Sequence, residues 1–203
     1  MKVCILDYQA GNIFSIKNAL QALKIDSIVT DNEKLILKSD GLILPGVGSY
    51  PKVMNYIKRK NLDLTIKRFI ETERPFLGTC LGMQLLFEKS QEFGSTSGLS
   101  VLKGKVLMLP KNKKEKVPNI GWQKNILNSK IYKKNEKLFS NNFFYFVHSY
   151  YVECSKDLIY TYSYFDDFKF CSSIKHNNIF ATQFHLEKSG KAGLKIIENF
   201  FLK

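Results

Sequence analysis

The sequence predicts an α/β fold built around a central, mostly parallel sheet that is flanked by helices. Short apolar strands alternate with amphipathic helices through the first half of the chain, and right-handed crossovers turn such an alternation into a parallel sheet. The second half changes to short strands and turns, which predicts additional antiparallel strands. No linker rich in Pro, Gly or Ser separates the halves, and 44% of the 203 residues are hydrophobic. We therefore expect residues 1–203 to form a single domain.

The elements of the first half follow from the spacing of apolar residues. Short apolar or β-branched runs predict strands, and apolar residues repeated every three to four positions predict helices. In chain order, we expect a strand at 3–6, a helix at 13–23, strands at 27–30 and 41–44, helices at 53–60 and 64–72, a strand at 75–77 and a helix at 83–88.

The second half is rich in aromatic and β-branched residues, which favour strands over helices. Turn residues divide these runs into segments of strand length. In chain order, we expect strands at 101–109, 143–154, 158–164, 168–174 and 179–184, followed by a final helix at 191–201.

Residues 78–82 read Gly-Thr-Cys-Leu-Gly and place Cys80 between the strand at 75–77 and the helix at 83–88. A nucleophile elbow needs glycine on both sides, because a larger neighbour would collide with adjacent strands at this sharp turn. At the start of a helix, unpaired backbone N–H groups favour the reactive thiolate. A small buried cysteine in a glycine-rich turn is the structural alternative.

The candidate general base is one of three histidines. Only His185 has a carboxylate in phase: Glu187 follows at i+2 and projects to the same side if the extended conformation continues. Glu187 can then orient the imidazole, which completes the triad logic of covalent acyl transfer with Cys80. His176 lies in a predicted exposed hairpin turn. His148 lies in an aromatic run and is expected in or near a core strand.

The net charge of +13 raises the question of nucleic-acid binding, which the residue types do not favour. Arg59, Arg68 and Arg74 are the only arginines, so most of the positive charge is lysine, which lacks the bidentate fork that reads bases and grips phosphates. The one dense run, from Lys111 to Lys116, is most simply a solvated loop between strands. We therefore expect no nucleic-acid partner.

Cysteine spacing and hydropathy argue against metal, disulfide and membrane classes. The four cysteines show no paired C-x-x-C spacing, so we expect no metal site and no disulfide framework, with one reactive and three structural thiols. No apolar run approaches about 18 residues and no signal-peptide pattern begins the chain, so we expect no membrane segment and a cytoplasmic location. No motif predicts a cofactor. The cysteines are Cys4, Cys80, Cys154 and Cys171.

Six segments spread over essentially the whole chain match one enzyme family. They are D-Y-Q-A-G-N at 7–12, P-G-V-G at 45–48, G-T-C-L-G-M-Q at 78–84, V-P-N-I-G-W at 117–122, H-S-Y-Y at 148–151 and T-Q-F-H-L-E-K-S-G at 182–190. Together they resemble the class I, or triad, glutamine amidotransferases. The P-G-V-G and V-P-x-x-G-W segments are similar to one branch, whose members supply ammonia to a (β/α)8-barrel cyclase in histidine biosynthesis.

The resemblance implies a class I glutamine amidotransferase-like fold and hydrolysis of L-glutamine through a cysteinyl thioester. It also implies a heterodimer in which ammonia passes to the cyclase subunit. Leu81, next after the nucleophile, is expected to donate one backbone N–H to the oxyanion, and the loop of Val47 and Gly48 the other. Further positions are implied by the resemblance alone. For substrate binding they are Gly48, Gln84, Glu92, Ser149 and Tyr150, and for the partner interface Asn12, Trp122 and Lys188.

Two departures from the family pattern leave the pathway open. Leu186 stands where the family usually has proline, and Asn119 where it usually has histidine. A paralogous glutaminase that feeds a sugar amidotransferase in surface-polysaccharide biosynthesis is therefore an alternative. Two further alternatives belong to other classes: a cysteine hydrolase of the peptidase or deglycase type, and a catalytically silent regulatory subunit. Trp122 fits either an exposed interface anchor or a buried core residue.

Overall fold

The computed structural model of the chain describes residues 1–9, 12–111, 116–128, 136–139 and 142–202. The strands are β1 Lys2–Leu6, β2 Asp26–Thr30, β3 Gly41–Leu44, β4 Phe76–Thr79, β5 Lys89–Ser90, β6 Thr96–Ser97, β7 Gly104–Met108, β8 Asn119–Lys124, β9 Ile126–Leu127, β10 Phe143–His148, β11 Tyr150–Cys154, β12 Ile159–Phe165, β13 Phe168–His176 and β14 Ile179–Thr182. The helices are α1 Ile13–Ala22, α2 Glu33–Lys38, α3 Tyr50–Arg59, α4 Leu62–Glu71, α5 Leu81–Gln84, α6 Glu136–Phe139 and α7 Gly190–Phe201. Of the predicted basic run, only Lys111 and Lys116 lie among these residues.

Parallel strands form one half of the main sheet, and mostly antiparallel strands form the other. Among the described residues, the strands pair in the order β2-β1-β3-β4-β14-β13-β11-β7-β5-β6, with β12 and β9 attached beside β13. The first five run parallel, whereas β14, β13, β11 and β7 pair antiparallel. This arrangement confirms the predicted fold class. It also places β14 directly beside β4, with Thr182 opposite Thr79.

Helices cover both faces of the parallel half, because its strands are apolar on both sides. In β1, Val3 and Ile5 join the core beneath α1 and α7, while Cys4 and Leu6 join the core beneath α2, α3 and α4. The two cores hold the sheet in place and leave the carboxyl ends of its strands free for a site. Within the described part of the chain, no helix has the length and apolarity needed to cross a membrane.

The helix predicted at 83–88 is wrong in its extent. Helix α5 ends at Gln84, because the chain folds back and Leu99 donates its backbone N–H to the Leu85 carbonyl at 2.9 Å. The returning segment occupies the start of the strand predicted from residue 101, so β7 begins only at Gly104. The reactive turn is therefore followed by about one helical turn rather than a full helix.

The single strand predicted at 143–154 is two strands that belong to different sheets. Strand β10 pairs with β8 in a separate two-stranded sheet, whereas β11 joins the main sheet beside β7 and β13. The chain changes partner at Ser149, whose carbonyl accepts a hydrogen bond from the Leu109 N–H at 2.9 Å. This corner brings His148 and Tyr150 to the edge of the sheet where β4 and β14 end.

Six elements of the described residues were not predicted from the sequence, namely α2, α6, β5, β6, β8 and β9. Helix α2 is short, and its signal is local: Asn32 caps it by accepting a hydrogen bond from the Leu35 N–H at 3.3 Å. Strand β8 contains Asn119 and Gly121, which are depleted in strands. Its pairing with the aromatic strand β10 overrides that preference.

Two glycines allow the loop after β3 to pack directly on the elbow backbone. A methyl group added at Gly46 would lie 1.6 Å from the Thr79 carbonyl oxygen, and one added at Gly82 would lie 2.0 Å from the Leu44 carbonyl oxygen. Both neighbours are backbone atoms, so they cannot move aside as a flexible side chain would. The close approach fixes the position of the loop relative to Cys80.

We predict that Gly82→Ala lowers the free energy of unfolding by about 1–3 kcal/mol, because the new methyl group overpacks a backbone contact. Urea unfolding of the purified chain measures the change. Lys58→Ala, at an exposed position of α3, is the control and should stay within about 0.5 kcal/mol of the parent. Equal stability of Gly82→Ala and Lys58→Ala would contradict the packing argument.

Candidate active site

Cys80 sits on a sharp turn in a strained backbone conformation. Its φ of 49° and ψ of −109° are unusual for a residue with a side chain, and strain of this kind is found at nucleophile elbows. The Cys80 N–H donates to the Thr182 carbonyl at 2.6 Å, which ties the elbow to the end of β14. The side chain is 7% exposed and lines a cavity.

His185 follows β14 and is oriented by Glu187. The distance from His185 Nδ1 to Glu187 Oε1 is 2.8 Å, and both side chains are almost completely buried. The expected extended conformation does not continue, because Leu186–Lys188 forms a 3-10 turn. Glu187 reaches the imidazole from that turn, so the pairing is present although its predicted backbone basis is wrong.

The surroundings of His185 favour its charged form. Burial by itself would lower its pKa, but the interactions with Cys80 and Glu187 outweigh burial and raise the pKa of His185 to about 10. Glu187 occupies Nδ1, so Nε2 is the nitrogen left for proton transfer. Nε2 is buried and makes no hydrogen bond of normal geometry within the described residues, so its attraction to Cys80 is electrostatic. The arrangement fits a thiolate-imidazolium pair.

A cavity of 310 Å³ joins the catalytic candidates to the other predicted site residues. Cys80 and His185 line it, whereas Glu187 lies behind His185. All of the residues predicted for the oxyanion hole or for substrate binding line the same cavity. They are Val47, Gly48, Leu81, Gln84, Glu92, Ser149 and Tyr150. The structure therefore brings together residues from four separate segments of the chain, and their individual roles stay predictions.

Several of these polar groups already have partners inside the protein. The Glu92 Oε2 accepts from the Tyr50 N–H at 3.2 Å, and burial raises the pKa of Glu92 against the effect of this bond. The Ser149 carbonyl accepts a hydrogen bond from a backbone N–H. The Tyr150 carbonyl accepts one from the Gln84 side chain at 2.9 Å. Substrate contacts through these two strand residues would therefore use their N–H groups rather than their carbonyls.

The loop that follows β3 is held by a buried tyrosine. The Tyr8 hydroxyl donates to the Pro45 carbonyl at 2.5 Å. Burial raises the pKa of Tyr8 far above its ordinary value, as does the nearby Cys80, and the Val47 backbone N–H near the Tyr8 oxygen opposes the increase. Gly48 has a φ of 121°, which glycine adopts freely. The amide predicted as an oxyanion donor thus lies near the Tyr8 hydroxyl in this structure.

Two of the three predicted interface residues, Trp122 and Lys188, are exposed and meet at one aromatic ring. Trp122 is 54% exposed, which excludes the core alternative, and its ring packs edge-on against Tyr145 at 5.8 Å between centroids. The exposed Lys188 places its ammonium 5.8 Å from the centroid of the same Tyr145 ring. Asn12 is half-buried; it precedes α1 and accepts a hydrogen bond from Ser15.

The other two histidines are not candidate bases. His148 is buried, and burial lowers its pKa to about 4, so it is neutral near pH 7. Its Nδ1 donates to the Tyr150 carbonyl at 2.9 Å, and its Nε2 accepts from the Asn119 amide at 2.9 Å. His176 lies at the exposed end of β13, beside a turn.

Gln183 is a residue of the site that the sequence analysis missed. Its side chain is fully buried, and its Nε2 donates to the Cys80 sulfur at 3.5 Å. The available signal is its spacing, since Gln183 and His185 are two positions apart in a strand-forming segment and can face the same side. A buried amide in that position needs partners.

Covalent acyl transfer from an amide is the chemistry that this edge of the sheet can perform, which places the protein among the cysteine-dependent amidohydrolases. The family model of the class-I glutamine amidotransferases matches residues 4–203. The chain belongs to that family.

Curated relatives extend over nearly the whole chain. The imidazole glycerol phosphate synthase subunit HisH of Bacillus cytotoxicus is 42% identical, with 98% of this chain and 93% of the relative covered. The subunit HisH 1 of Methanococcus maripaludis is 44% identical, with 98% of each chain covered. Among solved structures, PurLQS from Thermotoga maritima has a TM-score of 0.73 at 18% identity and covers 99% of this chain and 97% of that one. This last similarity shows the fold.

We predict that Glu187→Gln keeps the fold but lowers the turnover of glutamine by on the order of 10²- to 10⁴-fold. A neutral amide stabilises the imidazolium less, and it removes one of the two interactions that raise the His185 pKa. Steady-state glutaminase assays in the activated complex measure the loss. Glu71→Gln, at an exposed position of α4, should match the parent. Full activity of Glu187→Gln would rule out the proposed triad.

Proposed function

We propose that this protein is a glutaminase subunit that hydrolyses L-glutamine to glutamate and ammonia, and that the ammonia serves imidazole glycerol phosphate formation in histidine biosynthesis. The observation that carries the proposal is the meeting of Cys80 and the His185–Glu187 pair in one cavity. The names of the curated relatives favour this pathway over surface-polysaccharide biosynthesis.

In the first half-reaction, the Cys80 thiolate attacks the side-chain amide carbon of glutamine. The carbonyl oxygen becomes an oxyanion, and the proton on His185 Nε2 passes to the departing nitrogen, which leaves as ammonia. A γ-glutamyl thioester on Cys80 remains. The raised pKa of His185 suits this step, since the imidazolium must carry its proton when the substrate arrives.

In the second half-reaction, His185 acts as the base. Its neutral Nε2 takes a proton from water, the water oxygen attacks the thioester carbon, and glutamate leaves as the thiolate reforms. Both tetrahedral intermediates need N–H donors at the oxyanion. Leu81 at the start of α5 would supply one. Val47, in the loop that lines the cavity, would supply the other.

Ammonia released at Cys80 is useful only if it reaches an acceptor before protonation, because ammonium is not a nucleophile. We therefore propose a (β/α)8-barrel cyclase as partner in a heterodimer that channels ammonia. The surface around Trp122 and Lys188 supports this proposal. An exposed tryptophan that packs edge-on against a second aromatic ring is typical of an interface anchor. The nearby Ile120 is also exposed.

We predict that Cys80→Ala abolishes glutamine-dependent synthesis by the complex, with a loss on the order of 10³-fold or more, and leaves synthesis from added ammonium salts largely intact. The substitution removes the nucleophile without touching the synthase. Product formation measured with each nitrogen source tests this. Cys154→Ala is the matched control, because this cysteine is free and lies outside the cavity. Loss of the ammonium-dependent reaction in Cys80→Ala would contradict a separate glutaminase half-reaction.

We predict that the isolated chain is a poor glutaminase and that its partner activates it on the order of 100-fold, since one oxyanion donor is worth about 3 kcal/mol. The glycines on either side of Val47 support this prediction, because they let the loop hold either of two peptide orientations at little cost. Val47→Pro deletes this donor and should abolish most of the activation while complex formation stays measurable.

Glutaminase rates of the free chain and of the complex, together with a binding assay, decide the point. The gating proposal fails if the free chain is as fast as the complex, or if a folded and bound Val47→Pro protein remains fully activated.

A further inference from the structure

The Cys80 sulfur has two contacts with the polar interior besides its attraction to His185. The Val147 carbonyl lies 3.8 Å away and can only accept a hydrogen bond, so it favours the protonated thiol. The Gln183 Nε2 lies 3.5 Å away and can only donate, so it favours the thiolate. Gln183 is thus the side-chain donor that the described residues offer to the sulfur.

The direction of the Gln183 amide is determined by its neighbours. The Tyr150 carbonyl is an acceptor, so the end of the Gln84 side chain that lies 2.9 Å from it must be the amino group. The same amino group lies 2.9 Å from the nearer atom of Gln183, which must therefore be the oxygen. The other end of the Gln183 amide, which faces Cys80, is consequently the donor.

The Tyr150 carbonyl is itself fixed by a second donor. His148 Nδ1 donates to it at 2.9 Å, and His148 is held in this tautomer because its Nε2 accepts from Asn119. The low pKa of His148 keeps it neutral. Both His148 and Gln84 therefore donate to the Tyr150 carbonyl, and Gln84 also donates to Gln183, whose amino group donates to the sulfur.

We propose that Gln183 is a positioning residue that holds the Cys80 sulfur in place as a thiolate, and that Gln84 acts on the nucleophile by orienting Gln183. The inference rests on the proposed function, in which Cys80 is the nucleophile. It adds a role in nucleophile activation for a residue outside the triad, and a second role for Gln84 besides contact with substrate.

Gln183→Glu is the most informative variant, because it changes the charge of the group that faces the Cys80 sulfur. A carboxylate has nearly the same shape, but it presents an acceptor and a negative charge to the sulfur, both of which disfavour the thiolate. Gln183→Met keeps the length of the side chain and removes both the donor to the sulfur and the oxygen that accepts from Gln84. Gln84→Leu leaves Gln183 in place without its orienting partner.

The experiment is the pH dependence of Cys80 alkylation by iodoacetamide in the full chain, followed by mass spectrometry of the peptide that contains Cys80. We expect Gln183→Glu to move the midpoint of the profile upward by about one pH unit or more, which slows alkylation about tenfold at pH values below the midpoint. Gln183→Met and Gln84→Leu should move it in the same direction by less. Gln21→Glu, exposed on α1, should give the parental profile.

The proposal is overturned if Gln183→Glu and Gln183→Met fold with parental thermal stability and keep the parental profile. A purely structural role would lower the thermal stability without moving the midpoint. If neither Gln183 variant folds, the Gln84→Leu profile decides in the same way.

Alkylation needs neither glutamine nor a partner, so its outcome is separate from that of the proposed function. If the parental complex releases no glutamate from glutamine, the glutaminase assignment is wrong. The alkylation profiles would still decide the role of Gln183. With an active parental complex, the pH profile of kcat/KM in Gln183→Glu should shift upward as the alkylation profile does.

Discussion

The parallel pairing of β14 with β4 is the constraint on which the site depends. Thr182 lies opposite Thr79 in this register, so the residues that follow the two strands must leave the sheet side by side. Cys80 follows one strand and Gln183 to His185 follow the other. A shift of one residue would turn every side chain of β14 to the opposite face, so the register fixes the distance between nucleophile and base. The bond from the Cys80 N–H to the Thr182 carbonyl secures it.

The sequence predicts the parts of the site whose signals are local. The elbow is encoded in five consecutive residues around Cys80, and the base and its orienting carboxylate are two positions apart. The corner at Ser149 and the contact of Gln183 with Cys80 depend on partners that are distant in the chain, so no local pattern indicates them. The same holds for the end of α5, which the returning loop determines. The fold class was predictable because alternating strands and helices permit few topologies.

Four buried polar side chains near the nucleophile stabilise one another because each has a partner of the right kind. An unsatisfied amide in this environment costs about 1–3 kcal/mol, so Gln84, Gln183, His148 and Asn119 are best understood as one unit. Asn119 stands where the family usually has histidine, and its amide still donates to His148. The departure therefore keeps a donor that holds His148 in the tautomer whose Nδ1 donates to the Tyr150 carbonyl.

The two sides of the cavity differ in how readily they can change. The His185 side chain is held by Glu187. The His185 backbone N–H donates to the Tyr145 carbonyl at 2.9 Å, and the core packs beneath this residue. The loop from Pro45 to Gly48 contains two glycines and is held on one side by the single hydroxyl of Tyr8. Tyr8 belongs to the segment that leads to Asn12 at the proposed interface. A partner bound there would have to move only the loop, whereas reaching the triad would mean disturbing the sheet register. A change at the oxyanion loop therefore disturbs the fold least, and the nucleophile and its base keep their positions while activity is controlled there.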